Sequence, residues 1–205
     1  MARIVTVNAP GKINLTLEIL SKRQDGYHDL RSVLLPISLY ETVTVEERDD
    51  GKITLETVGE GVDISVLGDC PPEKNLAVKA AWLMKDISGT DKGCHIHITK
   101  RVPIGAGMAG GSADAAGTME ALRALWLPNI DRKELVEPSA MLGSDIPGLL
   151  YGGAILMEGR GEIVTPIFKD GEKAENCFWL VVAFPGVAIS TKKVYENCIP
   201  CLTHR

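Results

Sequence analysis

Small residues dominate residues 101–117, RVPIGAGMAGGSADAAG, and this limits what the chain can form there. From Gly105 to Ala116 almost every side chain is that of glycine, alanine or serine. Glycine loses more backbone entropy on folding than other residues, so this density is expected where another group must approach the backbone closely. An amphipathic pattern follows directly and predicts a helix from about Ser112 to Leu125. The stretch therefore predicts a glycine-rich loop that opens a helix.

The rest of the chain indicates an α+β protein. Alternating β-branched residues predict strands throughout the first sixty residues, separated by the turn signals APG, QDG and DDG. CHIHITK and the apolar run FWLVVAF at 178–184 predict further strands, the second one buried, and GGAILMEGRGEIVTPI predicts a hairpin. Asn75 is placed to cap a helix over LAVKAAWLMKDI. Asp131 would cap another, which Pro138 would kink or end, and STKKVYENC would begin one more.

Composition excludes several classes of protein. The chain has 205 residues and a net charge of −5, whereas proteins that bind nucleic acid usually carry a basic surplus. No apolar run is long enough to span a bilayer and no targeting signal is visible, so we expect no membrane partner. The five scattered cysteines suit a reducing compartment better than a disulfide framework, which favours the cytoplasm.

Three interpretations of the glycine stretch compete. Gly105, Gly107 and Gly110 spell G-x-G-x-x-G, but the second strand and acidic residue of a dinucleotide-binding unit do not follow. A P-loop would need a lysine where Gly111 stands. In the third interpretation, the backbone N–H groups of Gly105–Gly111 bind a triphosphate at the positive end of the helix. Ser112 would then add a hydroxyl toward a phosphate or Mg²⁺. The alternative is a tight turn with close helix packing, for which one or two glycines would be enough.

At this point the motifs resemble those of a known superfamily. PIGAGMAGGSADAA resembles the central motif of the galactokinase, homoserine kinase, mevalonate kinase and phosphomevalonate kinase (GHMP) superfamily. APGKINL, RQDGYH, GSDIP, GGAILMEGRGE and PGVAISTKKVY occur in the order typical of its diphosphocytidyl-methylerythritol kinases, and the resemblance covers essentially the whole chain. It implies the GHMP fold, with a domain similar to domain 2 of ribosomal protein S5 over residues 1–166. Residues 167–205 would begin a ferredoxin-like C-terminal domain.

The resemblance also implies a function. It implies a kinase that transfers the γ-phosphate of ATP, with Mg²⁺, to the 2-hydroxyl of 4-diphosphocytidyl-2-C-methylerythritol in the non-mevalonate isoprenoid pathway. Because the third glycine-rich motif of the family is missing, we expect most of the C-terminal domain to be absent. A binding remnant without catalysis stays open as an alternative. DGYH argues against a GHMP kinase for another small alcohol, and the net charge of −5 argues against an RNA-binding module. We expect a monomer or a homodimer, between which the sequence does not decide.

Two residues are the candidate catalytic pair. By resemblance, Asp145 in GSDIP is the base that takes the proton of the acceptor hydroxyl. On spacing alone, an aspartate after Gly-Ser would instead cap a helix. Lys12 in APGKINL lies in an apolar strand entry, so it must either extend to solvent or meet an anion. We expect Lys12 to pair with Asp145 and stabilise the transferred phosphoryl group. Asn14, on the same strand face, would bind the substrate.

The remaining candidates border the substrate and the nucleotide. Tyr27 and His28 in DGYH suit a cytosine pocket, and Thr191 and Tyr195 match the family's second side of that pocket. The candidate ATP-binding residues are the loop and two flanking residues: Pro103, Gly105, Ala106, Gly107, Met108, Ala109, Gly110, Gly111, Ser112, Asn75 and Lys100. Asn75 would alternatively be a plain helix cap and Lys100 a solvated strand end. Asp114 suits a charge that caps the start of the helix, outside the catalytic machinery.

Three further patterns in the sequence give weaker indications of function. His95 and His97 have the spacing of metal ligands, but strand alternation places both on one polar, exposed face. Cys198 and Cys201 form a C-x-x-C pair without the four ligands of a zinc site, so we predict no resident metal centre. Pro138, in the helix before Asp145, and Gly148, where the family usually has a large aromatic residue, would loosen the placement of Asp145.

Overall fold

A computed structural model describes residues 2–68, 71–168, 179–187, 194, 195 and 197. They form one mixed sheet with helices against one face, which confirms the α+β fold class. The strands are β1 Ile4–Lys22, β2 His28–Arg48, β3 Ile53–Gly59, β4 Gly93–Lys100, β5 Ile155–Gly159 and β6 Ile163–Pro166. The helices are α1 Leu76–Ser88, α2 Gly110–Trp126, α3 Val136–Ser139 and α4 Ile146–Tyr151. Short 3₁₀ turns lie at Ile64–Leu67, Pro72–Lys74 and Arg132–Leu135.

The first two strands are longer than predicted. The motif APG does not separate two strands, because β1 continues through it and pairs antiparallel with β2. The register between them shifts at Pro10/Lys12, Asn14/Thr16 and Ile19/Ser21, which marks irregularities that bend a long strand. Gly11 lies at the first of these shifts. A Cβ there would lie 3.1 Å from Val102 Cγ2, so glycine permits the glycine-rich loop to approach β1.

Strand β2 organises the sheet. Its residues Leu30–Leu34 pair with β5 and its residues Thr42–Arg48 pair with β4, both antiparallel. β6 continues the sheet beyond β5, and β3 pairs parallel with β4. A parallel pair needs a crossover connection, and α1 lies in that connection. The glycine-rich loop follows β4 directly, so the position of β4 in the sheet sets where the loop begins.

The core lies between the sheet and the helices α1 and α2. Val43, Val45, Ile96 and Ile98 point inward from β2 and β4 and are fully buried. They meet buried residues of the two helices, among them Ala80, Ala81, Met84, Ala113, Met119 and Leu122. The small residues of α1 and α2 let the helices pack closely, which explains the alanine-rich sequence of both.

Several local predictions are confirmed. The Asn75 side chain accepts a hydrogen bond from the Ala77 N–H at 2.9 Å and so caps α1. Asp131 forms a capping box with Glu134, although the helix it begins is a 3₁₀ turn that runs into the short α3. GGAILMEGRGEIVTPI forms the predicted hairpin. Among the described residues, no helix has both the length and the apolar composition needed to cross a membrane.

The predicted buried strand at 178–184 is wrong for the residues that can be compared. Residues 179–184 form no strand, and Trp179 and Val181 are 100% and 97% exposed. A strand needs a hydrogen-bonding neighbour, and none of the described strands pairs with this segment. The helix predicted at STKKVYENC lies mostly outside the described residues. The domain boundary after residue 166 stays a prediction, because few residues beyond it are described.

Gly117 tests the close contact between α2 and the sheet. A Cβ on Gly117 would lie 2.9 Å from Val43 Cγ2 and 3.0 Å from Ala9 Cβ. We expect Gly117→Ala to lower the free energy of unfolding by about 1–2 kcal/mol, because overpacking outweighs the gain in helix propensity of about 1 kcal/mol. The measurement is urea unfolding followed by circular dichroism.

Gly111→Ala is the matched control in the same helix. A Cβ on Gly111 has only Leu76 Cδ1 near it, at 3.9 Å. This variant should be neutral or slightly more stable than the parent protein. Equal effects of the two substitutions would show that α2 does not pack against β1 and β2 as described.

Candidate active site

The glycine-rich loop has an unusual backbone. Gly105 and Gly107 have φ angles of 75° and 73°, which glycine adopts readily. Ala109 has φ 58° and is the only non-glycine residue with a positive φ among those described. Such a conformation costs free energy in alanine, so it persists only where the surroundings impose it. Ala109 is the residue from which α2 begins.

The start of α2 is open to a ligand. The helix begins at Gly110, two residues before the predicted Ser112, and no side chain caps it because its N-cap residue is Ala109. The first N–H groups of a helix lack partners within it and lie at the positive end of the helix dipole. The loop and the first turn of α2 together have the geometry of an anion site.

The two interpretations of the glycines apply at different positions. A Cβ on Gly110 would lie 2.9 Å from Glu41 Oε1 and 3.2 Å from Lys100 Nζ, so this glycine serves close packing, as Gly117 does. Gly105 and Gly107 serve the backbone conformation. Neither reason applies to Gly111, which is exposed and where the nearest atom to an added Cβ would be Leu76 Cδ1 at 3.9 Å. At Gly111 the absence of a side chain leaves the helix N-terminus accessible.

A buried ionic cluster lies directly under Gly110. Lys100 is only 3% exposed, and its Nζ lies 2.6 Å from Glu41 Oε1 and 2.7 Å from Asp114 Oδ2. Lys100 is therefore not a solvated strand end, and Asp114 is not a cap, since α2 starts earlier than predicted and Asp114 lies in its second turn. Glu41 Oε2 also accepts the Arg101 N–H at 2.6 Å, which fixes the start of the loop.

Sequence reasoning missed Glu41. Its signal is the alternation of β2, in which Glu41 shares the inward face with Val43 and Val45 and is as buried as they are. A glutamate in such a register needs a charged partner, because an unpaired buried carboxylate is very costly. The partner could not be identified from spacing, since Lys100 is 59 residues away along the chain.

The cluster has more negative than positive groups. Two carboxylates share one ammonium group, and Asp114 Oδ1 is buried without a hydrogen-bond partner. Burial raises the pKa of Asp114 to about 6, although its contact with Lys100 acts in the opposite direction. Asp114 is consequently protonated in part of the protein at neutral to mildly acidic pH.

Lys12 is buried next to the loop. Its backbone N–H donates to the Met108 carbonyl at 3.0 Å, which joins β1 to the loop. Its ammonium group donates to Asn14 Oδ1 at 2.7 Å, and Asn14 Nδ2 donates to Ser32 Oγ at 2.7 Å. The expected ion pair with Asp145 does not form within the described part of the chain, because Asn14, two residues on along the same strand, lies closer. Asn14 and Ser32 hold the lysine in place beside the loop.

Asp145 stands at the start of α4. Ile146, Leu149 and Leu150 of that helix are buried and anchor it in the core. The Asp145 side chain does not cap α4, and within the described residues its carboxylate has no hydrogen-bond or ion-pair partner. Helix capping, the alternative to catalysis, is therefore not its role in this structure.

Gly148 does not leave a loose site. A Cβ at Gly148 would lie 2.5 Å from Ile155 Cδ1, so Ile155 of β5 already occupies the space where a larger side chain would extend. Pro138 lies within the short α3 and does not interrupt α4. The expectation that these two residues loosen the placement of Asp145 finds no support in the packing.

The predicted cytosine pocket is partly described. The rings of His28 and Tyr195 stack with centroids 5.6 Å apart and an interplanar angle of 23°. Tyr27 is 55% exposed, and the guanidinium carbon of Arg160 lies 4.8 Å from its ring centroid. The structure thus brings together three of the four predicted residues. Thr191, the fourth, lies outside the described residues, as do Cys198 and Cys201.

His95 and His97 lie on the half-exposed face of β4, as predicted. Both approach Glu56 of the neighbouring strand β3, with His97 Nδ1 3.5 Å from Glu56 Oε2. In the part of the chain that the structure describes, no three or more His, Cys, Asp or Glu side chains are grouped so as to hold a metal ion.

Comparisons with known proteins agree with this geometry. Residues 75–153 match the family described as GHMP kinases N terminal domain. The 4-diphosphocytidyl-2-C-methyl-D-erythritol kinase of Alkaliphilus metalliredigens is 38% identical over 94% of this chain and 62% of its own length. Residues 75–153 therefore form a GHMP kinases N terminal domain. The enzyme of the same name from Mycolicibacterium gilvum is 44% identical to this chain over 94% of the chain and 56% of the enzyme's own length.

Solved structures show the same GHMP fold. A crystal structure of 4-(cytidine 5′-diphospho)-2C-methyl-D-erythritol kinase superposes with a TM-score of 0.70 at 32% identity, covering 96% of this chain and 65% of that one. Homoserine kinase from Cytophaga hutchinsonii superposes with a TM-score of 0.58 at 19% identity, covering 80% of this chain and 51% of that one, and shares the fold alone. The chain spans 62% and 56% of the lengths of the two relatives from Alkaliphilus and Mycolicibacterium.

Asp114 gives the stability of this chain a testable dependence on pH. Its pKa is about 6 in the folded protein against an ordinary value of 3.8, so the folded state binds more protons than the unfolded state between these values. Stability therefore falls as the pH rises through this window. The difference of about 2 pKa units corresponds to about 3 kcal/mol. As the pH rises from 4 to 7, we expect the free energy of unfolding of Asp114→Asn to increase relative to that of the parent protein by up to this amount.

Urea unfolding at several pH values measures this difference. Asp86→Asn, on the exposed face of α1, is the control, and its stability should follow that of the parent protein at every pH. If the curves for the parent protein and Asp114→Asn stay parallel from pH 4 to pH 7, the Asp114 carboxyl does not titrate as described.

Proposed function

We propose that this chain is an ATP-dependent kinase that phosphorylates the 2-hydroxyl of 4-diphosphocytidyl-2-C-methyl-D-erythritol, a step in non-mevalonate isoprenoid biosynthesis. The observation that carries the proposal is the hydrogen bond from the Lys12 N–H to the Met108 carbonyl. It holds the candidate phosphate loop beside the strand that supplies a buried ammonium group. The similarity to kinases of this name over 94% of the chain supports the choice of substrate.

The loop and α2 would bind the phosphates of ATP. The uncapped amides at the start of α2 supply hydrogen-bond donors, and the exposed Gly111 leaves room for a phosphate to approach them. Asn75 caps α1 and Lys100 is engaged with Glu41 and Asp114, so their part in nucleotide binding is to shape the wall of the site. Lys100 contributes by fixing both ends of the loop.

Lys12 and Asp145 would act on the reacting groups. A carboxylate without a partner in the described residues is free to accept a proton from the acceptor hydroxyl, and Asp145 meets this condition. The Lys12 ammonium group, held by Asn14 at 2.7 Å, would stabilise the negative charge on the transferred phosphoryl group. Phosphoryl transfer depends mainly on positioning and on such charge stabilisation, so these two roles are the ones the reaction requires.

Mg²⁺ fits the oxygen-rich donor set of this site. It is commonly held by substrate phosphates, water and one or two protein oxygens, so it needs no dedicated cluster of ligands. The Ser112 hydroxyl in the first turn of α2 is the protein group that would help to hold it, beside the phosphates of ATP. When bound, the ion neutralises phosphate charge. Because the proposed reaction consumes ATP, we also place the protein in the cytoplasm.

The test is release of ADP by this chain with ATP, Mg²⁺ and 4-diphosphocytidyl-2-C-methyl-D-erythritol. We expect release that depends on the substrate. We expect Asp145→Asn to reduce the rate by about 10²–10⁴-fold, the usual contribution of a catalytic base. Asp86→Asn, on the exposed face of α1, is the matched control and should keep the parent rate.

Other outcomes select among the alternatives. ADP release with mevalonate or homoserine, but not with the diphosphocytidyl compound, would show a GHMP kinase for another alcohol. Binding of ATP and substrate by the folded chain without any release would show a binding protein without catalysis. An unchanged rate in Asp145→Asn would exclude Asp145 as the base.

A further inference from the structure

Arg160 lies at the tip of the β5–β6 hairpin. Gly159 and Gly161 on either side have φ angles of 69° and 118°, and the Arg160 N–H donates to Glu162 Oε2 at 2.6 Å. A Cβ on Gly161 would lie 2.6 Å from the Ser144 carbonyl oxygen, so the tip packs tightly against the turn that precedes Asp145. The backbone of the tip is thus fixed beside the candidate catalytic base.

The Arg160 side chain extends toward the predicted cytosine pocket. Its guanidinium carbon lies 4.8 Å from the centroid of the Tyr27 ring, which is within the range of a cation–π contact. Within the described residues no carboxylate lies within ion-pair distance of the guanidinium group, although, after the hydrogen bond from the Tyr27 N–H, its charge contributes to lowering the pKa of Asp25. Arg23, in the turn between β1 and β2 that carries Tyr27, contrasts with Arg160 because it pairs with Asp25 and Asp29. The donors of Arg160 are therefore available to a ligand.

We infer that Arg160 binds the diphosphate that joins the cytidine part of the substrate to its alcohol part, an inference that rests on the proposed function. The cytosine ring of the substrate would lie at Tyr27 and His28, and the reacting hydroxyl would lie at Asp145. The Arg160 side chain contacts Tyr27, and the backbone beside Arg160 adjoins the turn that precedes Asp145. The part of the substrate between these two ends is a diphosphate, and the planar guanidinium fork suits two phosphate oxygens.

The contact with Tyr27 is compatible with this role. The guanidinium group covers one face of the Tyr27 ring, and a cytosine base can stack only on the other face. Arg160 would thus hold the exposed Tyr27 ring in place, while the guanidinium N–H groups at the edge of its plane stay available to the phosphates. A purely structural Arg160 would support Tyr27 without contacting the ligand, and this is the alternative that the experiment must separate.

The experiment compares ligands that differ only in phosphate content. Isothermal titration measures binding of cytidine, CMP and CDP to the parent chain, Arg160→Leu and Arg160→Lys, with a non-hydrolysable ATP analogue present in saturating amount to block the ATP site. We expect the parent chain to bind CDP more tightly than cytidine. Arg160→Leu should weaken CDP binding by about tenfold or more and leave cytidine binding nearly unchanged. Arg160→Lys keeps the positive charge but not the planar pair of donors, so its affinity for CDP should lie between those of the parent chain and Arg160→Leu.

Arg48→Leu is the matched control. Arg48 ends β2, and its guanidinium pairs with Asp50 at 2.5 Å, away from the hairpin tip, so all three affinities should equal those of the parent chain. Thermal unfolding confirms that each variant is folded. An equal loss of cytidine and CDP affinity in Arg160→Leu, or no loss of either, would overturn the inference.

The outcomes also separate this inference from the proposed function. If the parent chain releases ADP with the diphosphocytidyl substrate but Arg160→Leu binds CDP as tightly as the parent does, the inference alone fails. If the folded parent chain neither binds cytidine compounds nor releases ADP with that substrate, the proposed function fails and the inference falls with it.

Discussion

The contact of the buried Lys100 ammonium group with two carboxylates connects the three elements on which the candidate site is built. β4 supplies Lys100, β2 supplies Glu41 and α2 supplies Asp114, with both carboxylate oxygens 2.6–2.7 Å from Nζ. Removing the ammonium group would leave two buried carboxylates without a cation, a loss that commonly costs about 3–5 kcal/mol. Glu41 also binds the Arg101 N–H. The start of the glycine loop and the start of α2 are therefore positioned by the same ionic group.

The other parts of the site reach this loop through the sheet. The bulged region of β1 places Lys12 against the Met108 carbonyl. α4, packed into the core, carries Asp145, and the β5–β6 tip packs against Ser144 beside it. Strands far apart in the chain are brought next to one another, because β2 pairs with β1 along one edge and with β4 and β5 along the other.

Local signals predicted the elements well and some contacts poorly. The caps at Asn75 and Asp131, the alternation of β4 and the hairpin at residues 155–166 depend on neighbours in sequence, and all were predictable. The strand predicted at 178–184 was wrong for its described residues, because strand formation needs a partner that apolar composition does not provide. The sequence predicts that Lys100 borders the nucleotide or ends a strand in solvent and that Asp114 caps a helix, but not that the two are buried together, because spacing alone does not reveal burial.

The sequence by itself determined the periodicity of the elements, the caps, the glycine-rich loop and the order of motifs that resembles that of GHMP kinases. These properties depend on side-chain size, backbone freedom and local hydrogen bonding, which act over a few residues. Only the tertiary structure decided that Lys100 pairs with Glu41 and Asp114, that Lys12 donates to Asn14 rather than pairing with Asp145, and that Arg160 lies over Tyr27. The reason is that ionic and aromatic partners are selected by distance in space, and strand register and helix packing set those distances.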